Sequence, residues 1–446
     1  MKNNLNAKLI IVLVSFITTV SCILLALNIL ERKTEAKFQV VHLKGIDPLE
    51  DDPSIWGVNF PYQYEDYLKT VDQERTRYGG SEAVRRKVSS DDPREYVSQS
   101  KLEIDDRFIT MWMGYAFSID FREERGHAYM LIDQMNTKRQ DVGQPGTCLN
   151  CHASTYSAMM KLGEGDLYKG FHELNKLPYF EAAKNVKHPV SCIDCHDPKS
   201  MNLRITRPAF MEGIKAYKKS QGVQNYDVNK MASRQEMRTF ACAQCHVEYY
   251  FKGQDKTLTY PWSKGLKADD MLKYYDEIEF KDWTHKLTKA DVIKAQHPEF
   301  ETFSQGVHAK SGVSCVDCHM PYKKVGAIKI TDHHINSPML KINHSCRTCH
   351  NVPEEELLER VNTIQDKNHE MKDIVFDALV SYIKKLEKNQ NHPKIKEMRR
   401  YQREAQFLFD FMEAENSNGF HAPQESARIL LKSLDLIRKG EELLQN

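Results

Sequence analysis

The two ends of the chain carry regular apolar patterns. Near the N-terminus, the stretch from Leu9 to Leu27 contains no charged residue, and Lys2 and Lys8 precede it. A run of this length predicts an apolar helix, so residues 1–30 are either a signal peptide or an N-terminal membrane anchor. We favour a retained anchor, because no small-x-small cleavage site follows the apolar run.

Beyond residue 350 the apolar positions recur at helical spacing and predict three long helices. One face of the first helix is formed by Leu357, Val361, Ile364, Met371, Val375, Leu379, Ile383 and Leu386. The second helix is predicted from Lys394 to Glu415, and the third from the first-turn proline Pro423 to Leu444. We expect residues 351–446 to form a helical C-terminal region that contains a dimer interface.

Between these ends, one short motif occurs five times. It is Cys-x-x-Cys-His, the attachment signature of c-type haem, in which two cysteines form thioethers and the histidine binds iron. The cysteines of motifs 1 to 5 are Cys148 and Cys151, Cys192 and Cys195, Cys242 and Cys245, Cys315 and Cys318, and Cys346 and Cys349. The histidines that follow them are His152, His196, His246, His319 and His350. An odd number of cysteine pairs fits zinc sites poorly, so the sequence predicts five covalent haems.

Five porphyrins change the interpretation of the composition. Only 41% of the residues are hydrophobic, and haem faces would supply the missing apolar surface of a core. We therefore predict a mainly α, multihaem cytochrome c fold with little β structure, in which residues 38–350 form the pentahaem catalytic region. Haem attachment of this type occurs outside the cytoplasm, so we expect an exported, periplasmic protein. With 63 basic and 62 acidic residues, the chain gives no sign of nucleic-acid binding.

The second ligand of each iron separates an enzyme from an electron carrier. Low-potential electron-transfer haems commonly have two protein ligands, and each motif supplies one. The thirteen histidines outside the motifs are too many to assign by number. An iron without a second protein ligand is open to a small molecule, whereas five closed irons would make a pentahaem electron-transfer cytochrome.

Six strings around the motifs add a further pattern. They are Arg-Gly-His-Ala at 125–128, Cys-Ala-Gln-Cys-His-Val-Glu-Tyr-Tyr at 242–250, Lys-Ala-Gln-His-Pro at 294–298, Cys-His-Met-Pro at 318–321, Thr-Asp-His at 331–333 and His-Ala-Pro at 421–423. From about Trp56 to the C-terminus, the chain resembles the ammonia-forming cytochrome c nitrite reductases. The resemblance implies a second iron ligand for four of the motifs: His333 for motif 2, His127 for motif 3, His421 for motif 4 and His308 for motif 5. His334 remains an alternative to His333, because only the Thr-Asp-His match separates them.

The same resemblance makes the haem of motif 1 the catalytic one, since no second ligand is left for it. Three side chains are then expected on its open face: Arg139, Tyr250 and His297. A calcium site beside it is implied by Glu248, the carbonyl oxygens of Tyr249 and Lys294, and Gln296, an all-oxygen set suited to a hard cation. Many members of this family have lysine where this chain has His152, so we expect the reduction potential and turnover of this iron to differ from those of the lysine enzymes.

The activity that the resemblance implies is the six-electron reduction of nitrite to ammonium, with four bis-histidine haems delivering electrons to the open one. It also implies a membrane multihaem quinol dehydrogenase as electron donor and a homodimer. Hydroxylamine or sulfite as the main substrate remains open.

Overall fold

The computed structural model describes residues 2–35, 42–79, 88, 90, 94 and 96–445. The predicted boundary at residue 38 and the last residue, 446, lie outside this range. Within it the chain is mainly helical with little β structure, so the predicted fold class is confirmed.

The helices differ greatly in length, from single turns in the middle of the chain to long helices at both ends. In chain order they are α1 (Lys2–Glu35), α2 (Pro53–Gly57), α3 (Pro61–Leu68), α4 (Lys101–Ile104), α5 (Arg107–Met111), α6 (Met130–Asn136), α7 (Leu149–His152), α8 (Tyr156–Leu162), α9 (Leu167–Lys176), α10 (Tyr179–Ala183), α11 (Cys192–Cys195), α12 (Pro208–Ser220), α13 (Val228–Met231), α14 (Arg234–Ala243), α15 (Ala268–Glu277), α16 (Glu299–Gln305), α17 (Val307–Lys310), α18 (Cys315–His319), α19 (Glu354–Lys388), α20 (Ile395–Glu413) and α21 (Pro423–Gln445). Short 3-10 helices cover Lys69–Val71, Ala116–Ser118, His127–Tyr129, Lys138–Val142, Gly146–Cys148, Pro338–Lys341 and Cys346–Thr348.

The β structure in the described residues consists of three antiparallel hairpins. Their strands are β1 (Tyr250–Lys252) with β2 (Thr257–Thr259), β3 (Trp283–Thr284) with β4 (Asp291–Val292), and β5 (Tyr322–Val325) with β6 (Ile328–Thr331). The first hairpin follows motif 3, and the second immediately precedes residues 294–298. These hairpins therefore hold the two segments for which a calcium site is predicted.

The helix α1 confirms the apolar N-terminal helix. Its segment Lys8–Leu30 is long and apolar enough to cross a membrane, and none of it is buried against the rest of the protein. The structure thus leaves this surface open to lipid.

The helices α20 and α21 begin and end within two residues of their predicted limits, and α19 extends from three residues before Leu357 to two residues after Leu386, the first and last of its predicted apolar positions. Six of the eight apolar positions predicted for α19 are buried, and Ile364 and Met371 are half-buried at the edge of the stripe. The helices α19 and α21 approach closely at Gly440, where an added Cβ would meet the Tyr382 hydroxyl at 2.0 Å. That hydroxyl donates to the Met398 carbonyl of α20 at 2.9 Å, which ties the three helices together.

Candidate active site

A single helical turn presents the residues of each motif. Cysteines at positions i and i+3 and the histidine at i+4 lie on one side of such a turn. In motifs 2 and 4, a serine before the first cysteine and an aspartate inside the motif form a capping box, Ser191 with Asp194 and Ser314 with Asp317. The local sequence therefore stabilises the turns of motifs 2 and 4.

All five motifs open into one cavity of about 1470 Å³. Its lining includes the ten motif cysteines, the five motif histidines and the four histidines predicted as second ligands. The thiol of Cys151 lies beside that of Cys245, and the thiol of Cys242 lies beside that of Cys315, whereas Cys318 and Cys346 are near enough to interact electrostatically. Motifs 1, 3, 4 and 5 thus follow one another in space, and motif 2 joins them where Cys195 approaches Cys242.

Four motif histidines each face a second imidazole. The ring centroids are 6.2 Å apart for His246 and His127, 6.3 Å for His196 and His333, 6.4 Å for His319 and His421, and 6.2 Å for His350 and His308. Two imidazoles that share one metal ion at bond lengths of about 2 Å hold their centroids roughly 6 Å apart. Each pair is therefore spaced to hold an iron between its rings.

Hydrogen bonds orient several of these rings. Nδ1 of His196 lies 2.9 Å from the Met201 carbonyl, and Nδ1 of His333 lies 2.8 Å from the Thr331 carbonyl. A ring held at Nδ1 keeps Nε2 free for a metal. Burial lowers the pKa values of His127, His196 and His319 to about 4, which keeps them in the neutral form that a metal ligand needs.

His334 is turned away from its neighbour's position. Its Nε2 lies 3.7 Å from an Asp72 carboxylate oxygen, while His333 faces His196. The geometry therefore favours His333 over His334 for motif 2.

His152 of motif 1 is different. Among the described residues, no second histidine ring faces it at the spacing of the other four pairs. Burial, together with the nearby His297 and Arg139, lowers the pKa of His152 to about 3. The structure therefore brings two of the three predicted distal residues close to motif 1.

A short turn positions Arg139. The Thr137 hydroxyl accepts a hydrogen bond from the Arg139 amide at 3.3 Å, and the turn ends at Gly143, whose left-handed φ of 77° favours glycine. The guanidinium donates to the Asp120 carbonyl at 3.1 Å and stacks 4.4 Å from the Phe117 ring centroid. Burial lowers the pKa of Arg139, but arginine remains charged in proteins.

The two consecutive tyrosines differ in their contacts. Tyr250, the predicted residue, lines the cavity, but its hydroxyl lies 2.6 Å from that of Tyr274, and its ring packs 4.8 Å from Phe280. Tyr249 instead neighbours Arg139 and the motif 1 cysteines. Side chains alternate in extended backbone, so consecutive tyrosines face opposite ways. The rings of Tyr249 and Phe251, two positions apart, stack with their centroids 5.6 Å apart on one face of this segment. This spacing is the signal that sequence reasoning missed.

His297 lies at the start of the turn that leads into α16. Its Nδ1 is 3.7 Å from Oε1 of Glu124, a residue that no pattern in the sequence indicates. Burial lowers the pKa of His297 to about 4, so the ring is neutral at neutral pH.

Three of the four predicted calcium ligands meet in the core. Glu248 is fully buried and accepts hydrogen bonds from the Tyr275 hydroxyl at 2.8 Å and the Gln296 amide nitrogen at 2.6 Å. The Gln296 side chain donates to the Lys294 carbonyl at 3.1 Å. Burial raises the pKa of Glu248 to about 8, so ionisation of this carboxyl calls for a cation. Tyr249 is adjacent in sequence, and no contact of its carbonyl distinguishes it.

The chemistry of this donor set suits calcium. It offers one carboxylate, backbone carbonyls and an amide whose oxygen and nitrogen can exchange places by a half-turn. No three side chains of His, Cys, Asp or Glu in the described residues are grouped so that they could hold a metal ion by themselves.

The Lys294 side chain has a second role that the sequence analysis missed. Its ammonium lies 2.9 Å from Oδ1 of Asp410 on α20, and both side chains are buried. The other carboxylate oxygen of Asp410 accepts from the Ala295 amide at 3.1 Å and the Trp112 indole at 3.3 Å. The helix α20 thereby holds the loop that leads to His297.

The helical fold, with five haem-attachment motifs around one cavity, defines a multihaem c-type cytochrome. The profile of the family described as cytochrome c552 matches residues 52–446. The chain belongs to this cytochrome c552 family. It is 39% identical over 390 residues to the cytochrome c-552 of Parabacteroides distasonis, covering 84% of this chain and 73% of that protein.

Two further relatives extend the comparison. The cytochrome c-552 of Porphyromonas gingivalis is 36% identical over 437 residues, which cover 94% of this chain and 82% of that protein. Among solved structures, the fold is similar to the catalytic subunit of the cytochrome c nitrite reductase from Desulfovibrio desulfuricans ATCC 27774, with a TM-score of 0.75 and 29% identity. The match covers 90% of this chain and 87% of that one, and that structure is described with two calcium sites.

Proposed function

We propose that this protein is an oxidoreductase that reduces nitrite to ammonium at the haem of motif 1. The observation that carries the proposal is the difference between His152 and the other motif histidines. Four of them face a second imidazole, whereas no imidazole of the described residues faces His152 at that spacing. The similarity to a solved cytochrome c nitrite reductase over 90% of the chain supports the same activity.

The ligand assignments follow from the paired rings. The second iron ligands are His333 for motif 2, His127 for motif 3, His421 for motif 4 and His308 for motif 5. Haems held by these four pairs of histidines would be closed to substrate and would supply the six electrons that the reaction requires at motif 1. A haem held by Cys148, Cys151 and His152 would supply an iron to which nitrite could bind.

The side chains near motif 1 have distinct tasks. The Arg139 guanidinium, held by the Asp120 carbonyl and Phe117, donates hydrogen bonds to the nitrite oxygens and stabilises negative charge as the N–O bonds lengthen. His297 adds an N–H donor on the same side. We assign the third position to Tyr249, in place of Tyr250, because its hydroxyphenyl group neighbours Arg139 and the motif cysteines.

Calcium completes the site in this proposal, held by Glu248, Gln296 and the carbonyls of Tyr249 and Lys294. It neutralises the buried Glu248 carboxylate and fixes the segment that continues to His297. Its positive charge also favours entry of an anion.

The exposed helix α1 supports export to the periplasm and retention at the membrane. At the membrane surface the enzyme takes electrons from a multihaem quinol dehydrogenase. Two copies associate through the C-terminal helices. Both the electron donor and the homodimer are proposed because the family resemblance implies them.

Spin-state spectroscopy tests the function. We expect the oxidised holoprotein to contain one high-spin ferric haem and four low-spin haems, because only one iron lacks a second strong protein ligand. Nitrite should change the high-spin signal alone. Five low-spin signals that do not respond to nitrite would identify an electron-transfer cytochrome. Comparison of kcat/KM for nitrite, hydroxylamine and sulfite would then establish the preferred substrate.

The calcium site gives a pH-dependent prediction. Calcium binds the ionised Glu248, whose folded-state pKa is about 8 against an ordinary value of 4.5. Below pH 8 calcium must displace a proton, so its affinity should rise about tenfold per pH unit between pH 6 and 8 and level off above. Without calcium, the protonated buried carboxyl favours folding at low pH, and this stability is lost as the pH rises toward 8. Melting temperatures with calcium and with a chelator, measured from pH 6 to 9, check both effects.

A matched pair of variants makes this test specific. Glu248→Gln should remove the response to calcium at every pH. Asp255→Asn changes an exposed carboxylate in the turn between β1 and β2, and it should leave the response intact. A wild-type melting temperature that is the same with calcium and with chelator at pH 8 would contradict the site.

A further inference from the structure

Thr206 and Arg207 lie where motifs 1, 2 and 3 meet. The Arg207 side chain is 2% exposed, and its guanidinium makes bonds to two different motifs. Nε donates to the Asn150 carbonyl at 2.8 Å, and Nη2 donates to the Ala153 carbonyl at 3.1 Å. Nη1 donates to Oδ1 of Asp194 at 2.8 Å. One side chain therefore joins the motif 1 turn to the motif 2 turn.

Motif 3 is tied to the same point through Gln244. Its side-chain oxygen accepts from the Thr206 amide at 2.7 Å and the Arg207 amide at 3.2 Å. The Thr206 hydroxyl donates to the Asp194 carbonyl at 2.8 Å. These contacts converge on the position before the second cysteine in each motif, occupied by Asn150, Asp194 and Gln244.

The charge arrangement makes this connection rigid. Arg207 and Asp194 form an ion pair in which both side chains are 2% exposed, and Oδ2 of Asp194 accepts from the Ser191 amide at 2.9 Å. A buried guanidinium is tolerated when its donors are satisfied in a fixed fork, and here three carbonyl or carboxylate oxygens satisfy it. Three motifs also approach one another at this position. Cys151 of motif 1 lies beside Cys245 of motif 3, and Cys195 of motif 2 approaches Cys242 of motif 3.

We propose that Arg207 is a positioning residue, which fixes the haems of motifs 1, 2 and 3 relative to one another and thereby sets the rate of electron delivery to the motif 1 haem. This inference rests on the proposed function, because it requires haems at these motifs. Arg207 lies behind the attachment turns and acts through their backbone.

Two substitutions separate positioning from charge. Arg207→Lys keeps a positive charge beside Asp194, but a single ammonium cannot reproduce the planar fork that reaches Asn150, Ala153 and Asp194 together. Arg207→Met removes both charge and fork. If the role is positioning, both variants are impaired; if charge alone matters, lysine restores wild-type behaviour.

The experiment uses purified holoprotein and three readouts. Intact mass gives the number of covalent haems, electron paramagnetic resonance gives the magnetic coupling between neighbouring ferric haems, and stopped-flow reduction by dithionite gives the rate at which the high-spin haem is reduced. We expect Arg207→Lys to retain five haems with altered coupling, and its high-spin haem to be reduced on the order of 10- to 100-fold more slowly. If Arg207→Met does not fold, the lysine variant decides alone.

Arg107→Met is the matched control. Arg107 also makes several ion pairs, with Asp105, Asp373 and Asp377, but it joins α5 to α19 away from the motifs. It should leave coupling and reduction rate unchanged. Wild-type coupling and reduction in Arg207→Lys would overturn the inference. A wild-type protein without five haems, or without a high-spin haem, would instead overturn the proposed function.

Discussion

Replacing Arg139 with alanine should lower kcat/KM for nitrite by about 10²- to 10³-fold, the effect of removing one preorganised donor from a developing anion. The reason is that Arg139 is the permanently charged donor beside motif 1. Steady-state nitrite reduction with a viologen donor measures the loss. The reduction potentials and the haem count should remain close to wild type, because Arg139 binds the Asp120 carbonyl and contacts no motif backbone in the described contacts.

The neighbouring residue provides the control. Lys138 lies in the same turn with its side chain exposed to solvent, so Lys138→Ala should retain nitrite turnover. Arg139→Lys keeps the charge but loses the paired N–H donors, and it should be intermediate. Full nitrite turnover in Arg139→Ala, with the melting temperature unchanged, would show that the active site has been assigned to the wrong residues.

The features that could be predicted from the sequence are those encoded locally. The apolar period predicted the limits of α20 and α21 within two residues and identified the buried face of α19, because a stripe at helical spacing must be buried against something. The five motifs are equally local, since each is one turn of helix. The fold class followed from both.

The second iron ligands depend on residues that are distant in sequence. His127 faces His246, and His333 faces His196, across more than a hundred residues in each case. No local pattern pairs one of these histidines with a particular motif, so only the family resemblance suggested the pairs. The choice between Tyr249 and Tyr250 depends on a single position, because a shift of one residue in extended backbone moves the side chain to the other face.

Buried ion pairs were missed for a different reason. Arg207 and Asp194 look like ordinary surface residues in the sequence, because neither lies in an apolar run. Asp410 did carry a signal: it stands alone between Phe409 and Phe411, within the buried stretch Phe407–Met412 of α20. A charged residue in such a stretch needs a partner, although the sequence does not say which one.

The buried ion pair of Asp410 and Lys294 leads to the second prediction with a large expected effect, which concerns the stability of the protein. Asp410→Asn should destabilise the protein by about 3–5 kcal/mol, because it leaves the buried Lys294 ammonium without its counter-charge. Since Asp410 also accepts from the Ala295 amide, the loop that continues to Gln296 and His297 should loosen, and nitrite turnover should fall with stability. Urea unfolding of the holoprotein, followed through the haem absorbance, measures the first effect and steady-state kinetics measures the second.

Two comparisons isolate the buried charge as the cause. The exposed pair Lys281 and Asp291, 2.7 Å apart in the same hairpin region, should contribute only about 0–1 kcal/mol, so Asp291→Asn serves as the matched control.

The double variant Lys294→Met with Asp410→Leu removes both charges, and it should recover most of the stability lost in Asp410→Asn. If turnover stays low in that stable double variant, the hydrogen bond from Ala295 to Asp410 holds the loop. If turnover returns, burial of Lys294 without its partner caused the loss, and loop geometry does not depend on the carboxylate. Equal stability of Asp410→Asn and wild type would contradict the buried pair itself.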